Sequence, residues 1–489
     1  MTSPIELQPE EFKAIGHQLI DMIAGFIGGI AHRPVTTGKT AKELQQLLGA
    51  PSLPGEGTPA AEIFSKITPL LFNDSLLNGH PKFMGYITSS AAPAGALADL
   101  LAAAVNPNVG AQILSPVATE VEKCTIKWLA EFIGLDQGYG GLLVSGGNMA
   151  NFTAFLVART AKAGNAIKEE GLNNTSGRML VYCSQNTHTW IEKAAALFGH
   201  GTRAIRWIPT DIFDRMDTVL LEKTIKEDLQ AGARPFMVVG TAGDVSSGAV
   251  DDLRAIAGVC KTYDLWFHID GAYGMPAAAI PGQQKVFDGM KEADSIALDP
   301  HKWLYCPLEA GCTLVKDPRH LTDTYSSHPA YYNFNSTEDD PVHNYYERGL
   351  QNSRGFRALK VWIALQQAGK TGYIKMINKN IQLSRLLFEL AEKHPQLEAV
   401  TQHLSITTFR YVPPARGEDA QYLDKLNETL LNRLQQGGKV FLSNAVIHKK
   451  YCLRACIVNF RTSKKDIEEM IEIIAKEGER THQHLSVPV

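Results

Sequence analysis

The sequence has no long apolar run, no block of one charge and few cysteines, and each shortage narrows what the chain can be. No stretch reaches the ~18 uninterrupted apolar residues of a membrane span, and Met1-Thr2-Ser3-Pro4-Ile5-Glu6 lacks a basic region followed by an apolar core, so the expectation is a cytoplasmic protein. Formal charge is only −3, which argues against nucleic acid or an anionic membrane as a partner and leaves a small molecule as the default ligand. The seven cysteines, Cys124, Cys183, Cys260, Cys306, Cys312, Cys452 and Cys456, are odd in number and scattered. They suit reduced thiols rather than a disulfide framework, and Cys452 with Cys456 lacks the further ligands of a metal site, so no metal is expected. Internal repeats and low-complexity segments are absent too.

What is present is an ordinary globular composition, 44% apolar and 20% charged over 489 residues, enough for two or three domains and a large core. Phe12, Ile15, Leu19, Ile20, Ile23, Phe26 and Ile27 recur at the spacing of an amphipathic helix over 10–28, whose apolar stripe needs a surface, in its own chain or in a second subunit. A Pro/Gly-rich stretch from Ala50 to Pro59 separates it from the body. Short apolar strands are then expected at 141–144, 179–183, 236–239, 265–269, 295–298 and 312–315, with helix-length segments between most of them. That alternation predicts an α/β fold with a mainly parallel sheet flanked by helices, whose ligands bind at the carboxyl ends of the strands. The expected divisions are an N-terminal helical segment over 1–85, a large α/β domain over 86–370 containing a loop at about 317–352, and a small α+β domain over 371–489.

Two strand ends carry the most chemistry. The run Leu265-Trp266-Phe267-His268-Ile269 ends on Asp270, and Ser295-Ile296-Ala297-Leu298 ends on Asp299-Pro300-His301-Lys302-Trp303. Neighbouring ends would bring a carboxylate and an amine to one crevice. Pyridoxal phosphate needs both, a lysine for its aldehyde and an acid for its pyridine nitrogen. Two other readings stay open on these residues alone: an Asp270–Lys302 ion pair, or a metal held by His268, Asp270 and His301. The first strand runs into Ser145-Gly146-Gly147-Asn148 at a helix start, where backbone N–H groups and the helix dipole favour a phosphate. The 179–183 strand leads to Ser184-Gln185-Asn186-Thr187-His188, which sets a histidine at the crevice.

The order SGGN (145–148), SQNTH (184–188), TAGDVSSGAVDDL (241–253), HIDGAYG (268–274), DPHKW (299–303) and QNSRGFRALKVW (351–362) resembles the group II pyridoxal-phosphate decarboxylases, across roughly residues 10 to 480. They include the aromatic-L-amino-acid, histidine and glutamate decarboxylases, and the aromatic branch is the most similar in appearance. The resemblance implies a fold-type I architecture, pyridoxal 5'-phosphate as cofactor, and a homodimer with shared active sites. It makes Lys302 the Schiff-base lysine, Asp270 the pyridinium partner, His188 the stacking ring and Gly147-Asn148 part of the phosphate cradle. Asp244, Ala272, Asp299 and His301 would surround the cofactor, and Ser353 would reach the phosphate or substrate of the partner subunit. Tyr345 would return a proton to the substrate carbon, with Tyr346 and Tyr331 behind it.

Four departures from the family pattern stand out: Asp244 where threonine is common, Asp299 for asparagine, Gly147-Asn148 for an Ala-Ser type of turn, and Asn344 for an acidic residue. The stretch containing Tyr86, Ile87 and Thr88 resembles the pocket-forming segment, and an aromatic and an aliphatic wall suit an aromatic side chain better than a second carboxylate, which would need its own cation. Lys82 is the one candidate for that cation. The expected activity is therefore decarboxylation of an aromatic L-amino acid to its amine. Behind it stand an aromatic aldehyde synthase and a decarboxylase of glutamate, aspartate or 2,4-diaminobutyrate. A non-catalytic scaffold is the alternative from another class.

Overall fold

A computed structural model describes residues 3–49, 52–136, 138–327, 342–414 and 419–486. Its larger sheet has seven strands: β1 (Gly140–Val144), β2 (Met179–Ser184), β3 (Ile205–Ile208), β4 (Arg234–Thr241), β5 (Trp266–Asp270), β6 (Ser295–Leu298) and β7 (Gly311–Val315). They lie in the order β1-β7-β6-β5-β4-β2-β3. Neighbours from β6 through β3 pair in parallel, and β7 alone runs against both of its neighbours. The carboxyl ends of β1, β2, β4, β5 and β6 consequently share one edge. The six expected strands are all present. β3 escaped the sequence reading because Arg206 and Trp207 interrupt its short apolar pattern at the sheet's margin.

Helices flank this sheet. The helix Gly147–Ala163 packs across β4, β6 and β7, and Leu253–Thr262 covers β4 and β5. Phe155, Phe236 and Phe267 are fully buried between the layers, each contributing about 1.5–3 kcal/mol by leaving water. The chain after the QNSRGFRALKVW stretch forms a long helical element, Ala358–Lys393, which breaks at Gly369. There φ is 62°, a left-handed conformation open to glycine, so one helix ends and another starts in a new direction.

Beyond the break, β8 (Leu397–His403), β9 (Ile406–Tyr411), β10 (Ser443–Ile447) and β11 (Lys450–Cys456) form an antiparallel sheet in the order β10-β11-β9-β8. Its own core includes Phe409, Tyr411, Leu430, Leu453 and Ile474. Met84 joins that core, and its N–H bonds Phe441 O at 2.8 Å, so the strand of chain before the large sheet is stitched to the small one.

The first helix, Pro9–Gly29, buries none of its side chains. Its Phe26 stacks on Phe72 at 4.4 Å, Ile15, Leu19, Ile23 and Ile27 are half-buried, and Phe12 and Ile20 are exposed. Pro9–His32 is long and apolar enough to span a bilayer by length and composition alone, although Lys13, His17 and Asp21 interrupt its apolar run. The expected loop at 317–352 is not wholly irregular: a helix, Arg319–Tyr325, occupies its first part.

Candidate active site

At the shared strand edge lies a cavity of about 850 Å³ whose walls come from both sheets. Tyr86, Ile87, Thr88, Gly147, Asn148, His188, Asp244, Asp270, Ala272, Asp299, His301 and Lys302 all line it, brought together from six separate segments. Parallel pairing explains the convergence. Asp270 ends β5 opposite Thr241 of β4, and Asp299 follows the last residue of β6.

The floor is not the Asp270–Lys302 ion pair. Asp270 Oδ2 accepts from Trp190 Nε1 at 2.7 Å and Oδ1 from the Ala272 N–H at 3.2 Å. Lys302 Nζ instead lies 3.0 Å from Asp299 Oδ2, offset from the hydrogen-bonding direction, and neither oxygen of that fully buried carboxylate has an aligned donor. The metal reading fails at His268, which points into the core. Its Nε2 meets Asn151 Oδ1 at 2.7 Å and its Nδ1 meets Ser295 Oγ at 2.8 Å, and burial pushes its pKa down to about 4. Among the described residues no group of three or more histidine, cysteine or acidic side chains is placed to hold a metal.

The turn after β1 fits an anion by its shape. A Cβ on Gly147 would stand 2.7 Å from Asp299 Oδ2 and 3.3 Å from Ala272 Cβ, so only glycine lets the start of the 17-residue helix Gly147–Ala163 come this close to the floor. His188 opens onto the cavity, yet enough protein surrounds its imidazole to lower its pKa, with Asp270 partly opposing that. Burial likewise lowers the pKa of His301, whose Nδ1 lies 2.7 Å from Ala310 O.

Asp244 is not a free acid beside the ligand. Its Oδ1 accepts from the N–H groups of Ser246 and Ser247 at 2.7 and 2.9 Å, and its Oδ2 from Ala249 N at 2.9 Å and from Ser247 Oγ. The carboxylate therefore shapes the turn over 244–249, and that turn faces the cavity.

Tyr345 is not brought to the cavity of its own chain. It stands outside the cavity, 1% exposed, its ring under the Arg354 guanidinium at 4.5 Å and against His343 at 4.6 Å. Its hydroxyl is sealed and has no hydrogen-bond partner among the described residues, so in this conformation it delivers no proton to a ligand in its own chain's cavity. Tyr346 is buried beside it, and Tyr331 lies outside the described residues. Ser353 is exposed, away from its own chain's cavity, while the adjacent Arg354 is buried and grips Glu122 Oε1 at 2.5 Å. Lys82 is not a cavity cation either: it pairs with Glu469.

Sequence reasoning missed the cavity's buried cation. Arg454, on β11, is 4% exposed and lines the cavity. Its Nη1 donates to Val245 O, while Nε and Nη2 have no hydrogen-bond partner. The available signal was a lone charge within Tyr451-Cys452-Leu453-Arg454-Ala455-Cys456-Ile457, an otherwise apolar strand. Trp190, which orients Asp270, gave no signal of its own.

A second cavity, about 690 Å³, lies on the far side of the 243–251 turn and is lined by Arg215, Gly248, Asp252, Arg254, Asp288 and His403 among others. Its two arginines nearest the turn have acidic partners, Arg215 in Asp211 and Arg254 in Asp288 and Glu292, while Lys285 and Arg385 on the same lining are exposed to solvent.

Lys302, held beside Asp299, Asp270, oriented by Trp190, and the glycine turn at Gly147 fit pyridoxal phosphate, which offers an aldehyde for the lysine, a ring nitrogen for Asp270 and a phosphate for the turn. Comparisons with known proteins agree. Residues 43–412 match the pyridoxal-dependent decarboxylase conserved domain. An aromatic-L-amino-acid decarboxylase of Bacillus atrophaeus is 33% identical over 477 residues, covering 97% of this chain and 96% of that one. A phenylacetaldehyde synthase of a Rosa hybrid cultivar is 28% identical, covering 96% and 94% of the two chains. Among solved structures, Oryza sativa TDC with PLP and tryptamine superposes with a TM-score of 0.90 at 25% identity, covering 98% of this chain and 99% of that one.

Proposed function

The chain belongs to the pyridoxal-dependent decarboxylases, carboxy-lyases acting on amino acids with pyridoxal phosphate, and from that premise we propose that its substrate is an aromatic L-amino acid, released as the amine with carbon dioxide. The observation that carries the proposal is the buried cation Arg454, whose Nε and Nη2 have no hydrogen-bond partner among the described residues. A substrate with one carboxylate occupies Arg454, and what remains on the wall, Tyr86 and Ile87, is aromatic and aliphatic. Among the described residues a second carboxylate would find no further incompletely satisfied arginine or lysine on that wall apart from Lys302, since Lys82 is held by Glu469. The names of the relatives support the same class.

Bound in this cavity, the cofactor supplies an electron sink next to the substrate nitrogen. Lys302 would provide the amine that anchors it and would yield that bond to the substrate amine. Asp270, oriented by Trp190, would hold the ring nitrogen and favour its protonated state. His188 offers a flat ring, and Arg454 holds the α-carboxylate at a fixed angle until it leaves. The turn shaped by Asp244 carries the carbonyl that fixes Arg454.

One observation favours a second reading, oxidative conversion to an aldehyde. Phenylacetaldehyde synthases stand among the relatives, at 28% identity over nearly the whole chain. Incubation with pyridoxal phosphate and a panel of L-amino acids, following carbon dioxide, amine and peroxide together, separates the two. Amine without peroxide from an aromatic substrate supports decarboxylation, stoichiometric peroxide supports the aldehyde, and turnover of an acidic substrate alone overturns the aromatic assignment.

The reading also carries a second copy of the chain. Leu97, Leu100, Leu101 and Val105 along the helix Pro93–Val105, with Ile113, Leu114 and Val117 beyond it, are between 53% and 75% exposed. A face that apolar supports a homodimer, and sedimentation of the wild type against Leu100→Asp tests it: one monomeric species for both would remove the dimer.

A further inference from the structure

The deepest charged group in the cavity is Asp299. Its side chain is 1% exposed, both oxygens lack an aligned hydrogen-bond donor, and the nearest cation is Lys302 Nζ at 3.0 Å from Oδ2. A buried carboxylate left that way is costly unless a positive charge stays beside it. The other acids at the cavity are engaged: Asp270 with Trp190 and Ala272, Asp244 with its own turn, Glu309 with Arg357 at 2.9 Å. His301 Nε2 is 3.8 Å from the same oxygen. Its Nδ1 is engaged by the Ala310 backbone, 2.7 Å from the carbonyl oxygen and 3.2 Å from the nitrogen, and burial lowers its pKa, so the ring adds no fixed positive charge beside the carboxylate. His188 and Cys456 bear on Lys302 from other sides, and Arg454 enters from β11, fixed at Val245 O. Gly147 is cut back to hydrogen where a Cβ would meet Asp299 Oδ2 at 2.7 Å, so the anion turn is built around this carboxylate.

Resting on the assignment of Lys302 above, we infer that Asp299 is the counter-ion of the Lys302 nitrogen and keeps that nitrogen positively charged after it has bonded to the cofactor. Bonding to the aldehyde expels one water and leaves a C=N nitrogen, which is positive only while it holds a proton. A fixed negative charge beside it, shielded from water, favours that proton. The protonated form is also the one whose carbon accepts the substrate amine more readily. The substrate arrives as an ammonium, and the proton it gives up on attacking the carbon passes to the departing lysine nitrogen, so the same carboxylate then faces Lys302 as an ammonium. Asp299 thus touches a reacting atom and is a catalytic residue, where an asparagine would supply hydrogen bonds but no charge.

The test is an absorbance titration of the holoenzyme loaded with pyridoxal phosphate, which reads the bonded nitrogen rather than turnover. Asp299→Asn should retain the cofactor and lower the midpoint of the long-wavelength band by about 1–3 pH units, the usual reach of an opposite charge at this distance. Asp299→Glu should keep the midpoint near that of the wild type. An unmoved midpoint in Asp299→Asn overturns the inference. Should that variant lose the cofactor, Asp299→Ala titrated with formate decides: a midpoint rising with formate supports the counter-ion, and no response overturns it. Lys302→Ala isolates the parent reading, since a band that survives there would remove Lys302 as the anchor whatever Asp299 does.

Discussion

The two cavities on either side of the 243–251 turn are similar in size, about 850 and 690 Å³, and both are rich in charge. They differ in whether the charges have partners. In the second, Arg215 and Arg254 are 40% and 55% exposed and each is matched by acids, so solvent and neighbours satisfy them. In the first, Arg454 and Asp299 are buried and incompletely satisfied. Surface pairs contribute little and need no ligand, whereas buried groups without partners are unfavourable unless something completes them. Incomplete satisfaction, rather than volume or charge count, marks the working cavity.

The contrast is most exposed to refutation at Arg454. Arg454→Gln should lower kcat/KM by about 10²-fold, the scale of one charge-assisted contact, with cofactor absorbance intact. Steady-state kinetics beside a cofactor titration checks this, and an unchanged kcat/KM would show the cation to be idle. A buried charge whose partner is complete should behave in the opposite way. Glu122, fully buried, takes Arg354 Nη2 at 2.5 Å and the Leu143 N–H at 2.9 Å, so Glu122→Gln should lose about 3–5 kcal/mol of stability in urea melts by stranding Arg354.

His200 is an incompletely satisfied group outside both cavities. It is buried against Phe236 and its Nε2 has no hydrogen-bond partner. Burial pushes its pKa down to about 4, as it does for His268. Because the folded values lie below the unfolded one, the stability these neutral rings contribute is complete above about pH 6.5 and is lost as pH falls through about 4. Thermal melts should show that decline, and His200→Phe should flatten it. Tyr345→Phe should be smaller still, leaving amine output unchanged and stability within about 1 kcal/mol, because the lost hydroxyl has no partner. Loss of amine with appearance of peroxide would instead return Tyr345 to a cavity, that of a second subunit. The smallest effect belongs to Arg254→Ala in the second cavity, for which kcat/KM should stay within roughly twofold.

The floor of the site was legible because each strand that reaches it is a short apolar run ended by polar residues. Asp270, Lys302, Gly147 and His188 all sit at such ends, and parallel strands bring their ends together without any knowledge of side-chain contacts. Pairing was less legible. Sequence proximity to a crevice does not say which acid a lysine meets, and Asp299, three residues before Lys302, takes it because Trp190 holds Asp270. Arg454 was invisible for a different reason: it lies on the other sheet, and only the packing of the two sheets carries it to Val245. The burial of Tyr345 away from its own chain's cavity was not legible, because spacing from Ser353 cannot report that Arg354, one residue further on, turns inward and covers the ring.

Since the lysine rises from one sheet and the arginine descends from the other, the molecule separates the part that performs the chemistry from the part that grips what is brought to it. The larger sheet fixes a reaction, and the smaller one, most of whose apolar side chains pack in a second core, carries the arginine to it. A scaffold divided in this way lets one chemical step be offered to many different molecules.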